Sequence, residues 1–329
     1  MIGRVAHVTD TGRKRRRNED AYVSEPPLFA IADGMGGAQA GEVASKLAAA
    51  AVRESASRAP AGEERIFELI QEANRRVYDR SSSDPNTSGM GTTMTVALVE
   101  DDHVAFGHVG DSRAYLIRDG LMEQLTEDHS LVNELMKTGK LSPQEAEIHP
   151  QRSVITRAVG TDPDVDVDTF TVNAQPGDLF LLCSDGLTDV VSEDEILELV
   201  ERNRADIDRA LRALVKEANR GGGEDNITVI AFEIADEAAN DGQTKEQALP
   251  PDFAPAAVAD DEDTLTEADG IPVVGGTMIV SAEELRLATA DEAAVRRRRL
   301  RRRLVAWLVL LLLVAAVAAL VLWKLDLFG

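Results

Sequence analysis

The chain has very little cysteine. Cys183 is the only one among 329 residues, so no intramolecular disulfide can form, which is typical of proteins from reducing compartments. It stands in an apolar run, residues 179–183, where a thiol is usually an inert core side chain. The five histidines, at positions 7, 103, 108, 129 and 149, show no recognisable ligand-pair spacing. The sequence therefore gives no support for a zinc site.

Basic residues are also scarce. Lys and Arg number 35 against 58 Asp and Glu, and the formal net charge is −23. This argues against nucleic acid as a partner, because a phosphate backbone requires a basic protein face. The excess of acid instead indicates a carboxylate-rich cation site or a solvated acidic segment, and the chain contains candidates for both.

The N-terminus lacks the apolar core of a secretory signal, but the C-terminal region is strongly apolar. Residues 304–323 are twenty positions without a charge, enough to cross a hydrocarbon core of about 30 Å. Trp307 and Trp323 lie near the two ends, where amphipathic rings favour the membrane interface. A buried core helix is the alternative, but uniform apolarity and the arginines that precede the stretch favour a transmembrane helix.

Those arginines form a basic juxtamembrane block at residues 296–303, with seven arginines in eight positions. The positive-inside rule places this block and everything N-terminal to it in the cytoplasm. Residues 324–329 then form a short non-cytoplasmic tail, and the block is expected to contact anionic lipid. We therefore expect a single-pass protein of the cell membrane with a cytoplasmic catalytic domain.

The remaining chain divides into a globular part and an acidic tether. Residues 1–236 alternate strands with helix pairs, and short linkers between the strands of residues 92–125 fit antiparallel hairpins. This pattern predicts an α+β domain of layered antiparallel sheets and helices. Residues 237–295 contain fourteen acidic against two basic residues, which predicts a disordered tether. An apolar stretch at residues 271–280 interrupts the acidic sequence, and we expect the tether to be more ordered there.

Several acidic residues stand where predicted strands begin or end. The apolar run 28–32 leads to Asp33 and Gly34, which alone fits either a turn with a solvated carboxylate or a binding site. The same context recurs at residues 18–20, 110–113, 184–186 and 224–226. Carboxylates gathered at one edge of a sandwich would repel one another. Mg²⁺ or Mn²⁺ would resolve that conflict, because both ions prefer oxygen ligands.

Eight motifs follow one another in a diagnostic order over residues 3–235. They read RxxNED from Arg15, ADGMGG from Ala32, GTT from Gly91, GDSR from Gly110, LTxDH from Leu125, ITRAVG from Ile155, SDGL from Ser184 and EDN from Glu224. In this order they closely resemble the metal-dependent (PPM, type 2C) serine/threonine protein phosphatases in their bacterial form. The resemblance implies a four-layer α-β-β-α sandwich, in which helix pairs flank two antiparallel sheets.

The resemblance also implies a site with two Mn²⁺ or Mg²⁺ ions. Asp33 would bridge them, Gly34 would add its backbone carbonyl, and Glu19 would hold one ion. Asp185 and Asp225 would hold the other ion.

Three further residues complete the implied site. Asp20 matches a neighbouring carboxylate of the metal group, and Asp111 would join Asp185 at a third, weaker ion. Arg15 would bind the substrate phosphate. Of the basic residues beside it, Arg13, Lys14, Arg16 and Arg17, most are expected to be solvated loop charges.

The predicted reaction uses metal-activated water and forms no phosphoenzyme, since a metal pair can activate water and clamp both reacting oxygens. Many eukaryotic relatives carry a histidine two residues after the bridging carboxylate, where this chain has Met35. The proton donor therefore stays unassigned between metal-bound water and His129. Residues 140–153, predicted to be irregular, correspond to the family's flap near the site.

The expected partners are phosphorylated serine or threonine proteins, either Ser/Thr kinases or their substrates, met by a monomeric enzyme at the membrane. Two alternatives remain open in the sequence. One is a catalytically silent relative that binds phosphoproteins, and the other is a phosphatase of a small phosphometabolite.

Overall fold

The computed structural model describes residues 1–36, 40–55, 61–235 and 278–279. Its strands are β1 Ile2–Asp10, β2 Asp20–Glu25, β3 Leu28–Met35, β4 Gly91–Thr92, β5 Met94–Glu100, β6 His103–Val109, β7 Arg113–Arg118, β8 Leu121–Gln124, β9 Val154–Ile155, β10 Asp168–Asn173, β11 Leu179–Cys183, β12 Ile227–Ile234 and β13 Met278–Ile279. Its α-helices are α1 Ala40–Ser55, α2 Gly62–Ser83, α3 Leu131–Lys137, α4 Pro143–Glu147, α5 Asp185–Thr188, α6 Glu193–Arg202 and α7 Ile207–Gly221.

Two antiparallel sheets carry the fold. One has the strand order β1-β12-β11-β7-β8, and the other has the order β10-β6-β5-β3-β2 with β4 paired to β3. Apolar side chains between the sheets form a common core, in which the ring of Phe29 stacks on Phe232 at 4.2 Å between centroids. Phe106 of the second sheet likewise meets Phe180 of the first at 5.8 Å.

Helices cover the outer face of each sheet. Buried residues of α1 and α2 pack on the β3 sheet, and buried residues of α6 and α7 pack on the β12 sheet. In α7, Ile207, Leu211, Leu214 and Ala218 follow the helical repeat and are buried, so burial of one apolar face fixes this helix on its sheet. The prediction of two antiparallel sheets flanked by helices is confirmed.

Strand β3 continues past the predicted end of its apolar run. Its ladder with β5 stops at Ile31, and Gly34 and Met35 pair instead with β4. The apolar pattern of residues 92–99 predicts one continuous strand, but the structure divides it at Thr93 into β4 and β5. Asp33 therefore lies inside a strand that changes partner rather than at its end.

The flap residues 140–153 are more regular than predicted. They contain α4, which begins with a capping box in which the Ser142 hydroxyl and the Glu145 carboxylate satisfy each other's backbone amides. This signature of serine followed three residues later by glutamate is a standard helix start. The prediction of an irregular segment was therefore wrong for Pro143–Glu147.

The apolar interruption of the acidic tether contributes one short strand. Met278 and Ile279 pair in parallel with Val154 and Ile155 of β9. The rest of the predicted tether 237–295, the basic block 296–303, the span 304–323 and the tail 324–329 lie outside the described residues. Within the described part of the chain, every helix is too short or too polar to cross a membrane.

Candidate metal centre

Two neighbouring strands place acidic residues side by side. In the β2–β3 pair Asp20 lies opposite Asp33, and Glu19 directly precedes β2. The Gly34 amide donates a hydrogen bond to the Glu19 carbonyl oxygen at 3.2 Å. Four predicted ligands therefore share one end of the same sheet.

The facing sheet brings further carboxylates to this edge. Asp185 opens α5 just after β11, and Asp225 stands two residues before β12. Strands β11 and β12 are neighbours, so the two side chains arrive together. Asp111, which follows β6, repels the charge of both Asp33 and Asp185. The structure thus assembles the predicted carboxylates from both sheets into one group.

Asp20 ties the two sheets together within this group. Its Oδ2 accepts hydrogen bonds from the Ser184 hydroxyl at 3.0 Å and the Thr228 hydroxyl at 2.6 Å. Thr228 lies in β12 of the opposite sheet, and Ser184 directly follows β11 of that sheet. The side chain of Asp20 is therefore held in one orientation between β2, β11 and β12.

Loss of water raises the pKa of the carboxyl groups in this cluster. At Asp33 burial is the largest cause, repulsion by neighbouring carboxylates follows, and the pKa lies well above its ordinary value. Asp185 behaves in the same way. Burial also raises the pKa of Asp111 to about 7, that of Asp20 to about 6 in spite of its two hydroxyl donors, and that of Glu19.

These groups fit a divalent cation. Among the described residues, Asp20 Oδ1 and Asp185 Oδ1 are shielded from solvent and accept no hydrogen bond, a costly state for a carboxylate oxygen. No three His, Cys, Asp or Glu side chains in the same residues are arranged to hold a metal ion by themselves. Mg²⁺ does not require such a cage, since it keeps several waters and takes one or two carboxylates.

Glycines let the backbone approach this edge closely. A Cβ on Gly34 would lie 2.1 Å from the Gly41 carbonyl oxygen and 2.6 Å from that of Glu19. A Cβ on Gly41 would lie 2.5 Å from Glu19 Oε2. The start of α1 therefore packs directly on the predicted ligands, and Gly41 is a site residue that sequence analysis missed.

Arg15 lies beside the carboxylates, as predicted. Its Nη2 is 2.6 Å from Asp225 Oδ2. Partial burial acts to lower its pKa, but the charges of Asp225, Glu19 and Asp33 outweigh burial and raise it. Arg15 is thus a fixed cation at the rim of a negative cluster.

His129 is buried and fully engaged. Its Nδ1 accepts from the Gly110 amide at 3.1 Å, which leaves the proton on Nε2 to donate to Asp168 Oδ2 at 3.0 Å. Burial lowers its pKa. With both nitrogens occupied, His129 supports the backbone next to Asp111 and has no free nitrogen for a leaving group.

Met35 packs with Ile155 and Ala158 in a small apolar cluster and has no proton to donate.

Asn226 is a second residue that sequence analysis underrated. Its Nδ2 donates to the carbonyl oxygens of Thr11 and Arg17, at 2.9 and 3.0 Å, and its Oδ1 accepts from the Glu19 amide at 2.7 Å. One amide side chain thereby fixes the loop that carries Arg15 against the turn that carries Asp225. Its place in the EDN motif was the only signal.

A groove of about 860 Å³ opens beside the cluster. Its lining includes Asp111 and Asp185 of the predicted ligands, Arg152 of the flap, Asn133 of α3, and Asp189. The groove is large enough for several residues of a polypeptide, and it ends at the predicted metal ligands.

The chain was compared with known families and proteins. The family model described as protein phosphatase 2C matches residues 12–220. The chain is similar to the serine/threonine phosphatase stp of Listeria innocua, with 42% identity over 236 residues, which is 68% of this chain and 93% of the relative. It is also similar to the serine/threonine protein phosphatase PstP of Mycobacterium tuberculosis, with 38% identity over 268 residues, covering 81% of this chain and 50% of PstP.

Solved structures give the same result. A crystal structure of the Mycobacterium tuberculosis serine/threonine phosphatase PstP/Ppp superimposes with a TM-score of 0.68 at 38% identity, over 72% of this chain and all of that chain. The catalytic domain of PstP in complex with two manganese ions gives 0.66 at 36% identity, over 71% of this chain and 99% of that chain. The fold and the enzyme class that the motifs predict are confirmed, and the chain belongs to the protein phosphatase 2C family.

Proposed function

We propose that this chain removes phosphate from phosphorylated serine and threonine residues of proteins, using Mn²⁺ or Mg²⁺. The observation that carries the proposal is the group of carboxylates from two sheets, with unsatisfied oxygens, next to Arg15. The names of the Listeria and Mycobacterium relatives support the substrate class, and the manganese-bound relative supports the cofactor.

The proposed ligand roles follow the two sheets. In this proposal Asp33 would bridge two ions, of which Glu19 and the Gly34 carbonyl would hold one, and Asp185 and Asp225 the other. When bound, a pair of divalent ions supplies an activated water and neutralises charge on the phosphoryl group.

Residues around the ligands orient them and the substrate. Asp20 holds β2 against the other sheet through Ser184 and Thr228. Asp111 extends the acidic group towards the groove and, with Asp185, provides a position for a third ion. Arg15 presents a guanidinium whose two-pronged geometry suits phosphate oxygens.

The proposal is tested by hydrolysis of a phosphothreonine peptide and of an aryl phosphate by purified residues 1–236 with Mn²⁺. We expect both reactions to stop with EDTA and in Asp33→Ala. Activity that survives either change would overturn the metal-dependent mechanism. Bound Mn²⁺ without hydrolysis of any substrate would instead identify a silent phosphoprotein-binding relative, and hydrolysis of small phosphate esters alone would identify a metabolite phosphatase.

We also propose that the chain is anchored in the cell membrane with the phosphatase domain in the cytoplasm. The charge-free stretch 304–323 and the arginines at 296–303 support this placement. Membrane-bound Ser/Thr kinases and their substrates are then the expected targets, and the domain is expected to act as a monomer. Fractionation of the source cells should place the full chain in the membrane pellet, and deletion of 304–323 should release it; a soluble full chain would contradict the anchor.

A further inference from the structure

A basic loop stands beside the metal centre of an otherwise acidic domain. Residues 13–17 are five consecutive basic positions between β1 and β2. Residues 1–236 as a whole carry a net charge of −18. Only Arg15 of this loop has a role in the proposed reaction, so the function of the other four charges needs an explanation.

The backbone of the loop is held in place at both ends. The amides of Arg13 and Lys14 donate to the Gly223 carbonyl oxygen at 2.7 and 3.1 Å, and the Arg17 carbonyl oxygen accepts from Asn226 at 3.0 Å. Gly223 has a φ of +57°, and a Cβ there would lie 3.0 Å from the Arg13 nitrogen. The loop is therefore fixed to the turn that carries Asp225.

Four of the five basic side chains in this loop are exposed, and only Arg15 is half-buried. Arg13, Lys14 and Arg16 form no ion pair with any described residue, whereas Arg15 pairs with Asp225 and Arg17 lies 3.7 Å from Glu42. Charges that only solubilise a surface do not need a fixed backbone. Here a fixed backbone presents them within two residues of the arginine that faces the phosphoryl group.

The groove beside the centre has an excess of acidic side chains. Its lining contains Asp111, Glu127, Asp128, Asp185, Asp189 and Glu195 against two basic residues, Arg113 and Arg152, and none of residues 13–17. Arg113 is paired with Asp128 at 2.7 Å, so the net charge of the groove is negative. A substrate segment with an anionic residue next to the phosphorylated one would be repelled from the groove and attracted to the loop. Neighbouring residues of an extended peptide are about 3.3 Å apart, so an anion within a few positions would reach the loop.

We infer that Arg13, Lys14 and Arg16 bind a second anionic group of the substrate, so that the enzyme prefers phosphoserine or phosphothreonine flanked by a further phosphorylated or acidic residue. This inference rests on the proposed phosphatase function. Each exposed pair contributes little alone and is screened by salt. The three free cations together are therefore expected to set the preference, and the preference should weaken as ionic strength rises.

The test compares two charge-matched triple variants of the full chain. The loop variant combines Arg13→Gln, Lys14→Gln and Arg16→Gln. The control variant combines Arg209→Gln, Arg212→Gln and Lys216→Gln on the exposed face of α7. The substrates are a singly phosphorylated peptide with neutral flanks, the same peptide with a second phosphothreonine two positions away, and an aryl phosphate. We expect the natural chain and the control to favour the doubly phosphorylated peptide in kcat/KM by roughly fivefold to thirtyfold. The loop variant should lose this preference and keep its rate on the aryl phosphate.

Three outcomes would overturn the inference. They are equal kcat/KM for the two peptides in the natural chain, an undiminished preference in the loop variant, and an equal loss in the control variant. Loss of binding to phosphatidylserine vesicles in the loop variant with an unchanged peptide preference would identify a lipid contact instead. If neither the natural chain nor the variants hydrolyse the aryl phosphate, the proposed function fails. Binding of the labelled doubly phosphorylated peptide to EDTA-treated protein, measured by polarisation, then still tests the loop independently of catalysis.

Discussion

The Asp20 carboxylate has two oxygens in different environments. Oδ2 accepts two hydroxyl hydrogen bonds from the opposite sheet, whereas Oδ1 is buried and accepts none. The first oxygen fixes the side chain, and the second is available to a cation or a metal-bound water. A single residue thus joins the packing of the sandwich to the chemistry at its edge.

Raised carboxyl pKa values predict how the metal-free protein responds to pH. Burial raises the pKa of Asp20 to about 6 and that of Asp111 to about 7, whereas an unfolded Asp titrates near about 3.9. Between these values the folded state binds more protons, so the stability of the metal-free chain should fall as pH rises from about 4 to 7. Thermal unfolding with EDTA should show this fall, and Mn²⁺ at pH 7 should restore the melting temperature. A flat profile without metal would contradict the raised pKa values of these buried carboxyl groups.

Asp20→Asn provides a matched check on that profile. The amide keeps an oxygen for Ser184 and Thr228 but removes one buried charge. We expect a smaller loss of stability between pH 4 and 7 than in the natural chain, together with weaker Mn²⁺ binding. Unchanged metal affinity, measured by calorimetry, would show that the second oxygen of Asp20 is not involved.

Gly34→Ala tests the close approach of α1 to the ligands. The new Cβ would lie 2.1 Å from the Gly41 carbonyl oxygen, so backbone must move, and we expect a loss of about 2 kcal/mol or more in unfolding free energy. Gly89→Ala is the control, since nothing lies within 4 Å of its Cβ and only its φ of +75° is unfavourable, a cost of roughly 1–2 kcal/mol. Chemical denaturation measures both, and a smaller loss in Gly34→Ala than in Gly89→Ala would contradict the packing.

Strand β13 pairs with β9, which directly follows the flap. Its partner β9 is buried, and Ile155 packs on Met35 just after Asp33. Pairing of Met278 with Val154 therefore holds part of the acidic tether next to the catalytic edge.

A cysteine pair tests this strand pairing. Neighbouring strands are about 4.8 Å apart, within the range that a disulfide spans, so Val154→Cys with Met278→Cys should cross-link under mild oxidation. Cys183 should not interfere, because burial raises the pKa of its thiol to about 12. Val154→Cys with Val258→Cys is the control. Equal cross-linking of the two pairs in non-reducing electrophoresis would contradict the register.

The sequence predicted elements best where periodicity and burial agree. The apolar repeat in this region predicts a helix over residues 205–219, and the structure has α7 at Ile207–Gly221, two residues later at both ends. The partner change of β3 was not visible, because pairing of Gly34 and Met35 with β4 depends on a contact about sixty residues away. The flap helix α4 was missed although Ser142 and Glu145 carried its start signal.

In the candidate site too, residues marked by local motifs were predicted, whereas residues that act through long-range contacts were not. The eight ligand and phosphate-binding residues were predicted from motifs, and the structure brings them to one edge. Supporting roles were not predicted, since Asn226, Gly41 and the hydroxyls on Asp20 act through long-range contacts. His129 could be assigned only from its two partners, which remove it as a proton donor.

At the scale of the whole molecule, acidic and basic side chains are concentrated in separate regions with different proposed roles. Carboxylates from two sheets form the centre, a basic loop faces the phosphate side, and an acidic groove leads to the flap. A predicted acidic tether and a predicted membrane span follow the domain. The cation centre is the part on which the other assignments depend, because without bound ions the cluster would repel a phosphorylated substrate.

Calorimetric titration of the metal-free full chain with Mn²⁺ tests that centre most directly. We predict at least two bound ions per natural chain and a loss of binding in Asp33→Asn, since Asp33 is the proposed bridging ligand and lies among Asp20, Asp185, Asp225 and Asp111. The absence of Mn²⁺ binding by the natural chain, or unchanged stoichiometry and affinity in Asp33→Asn, would contradict the account.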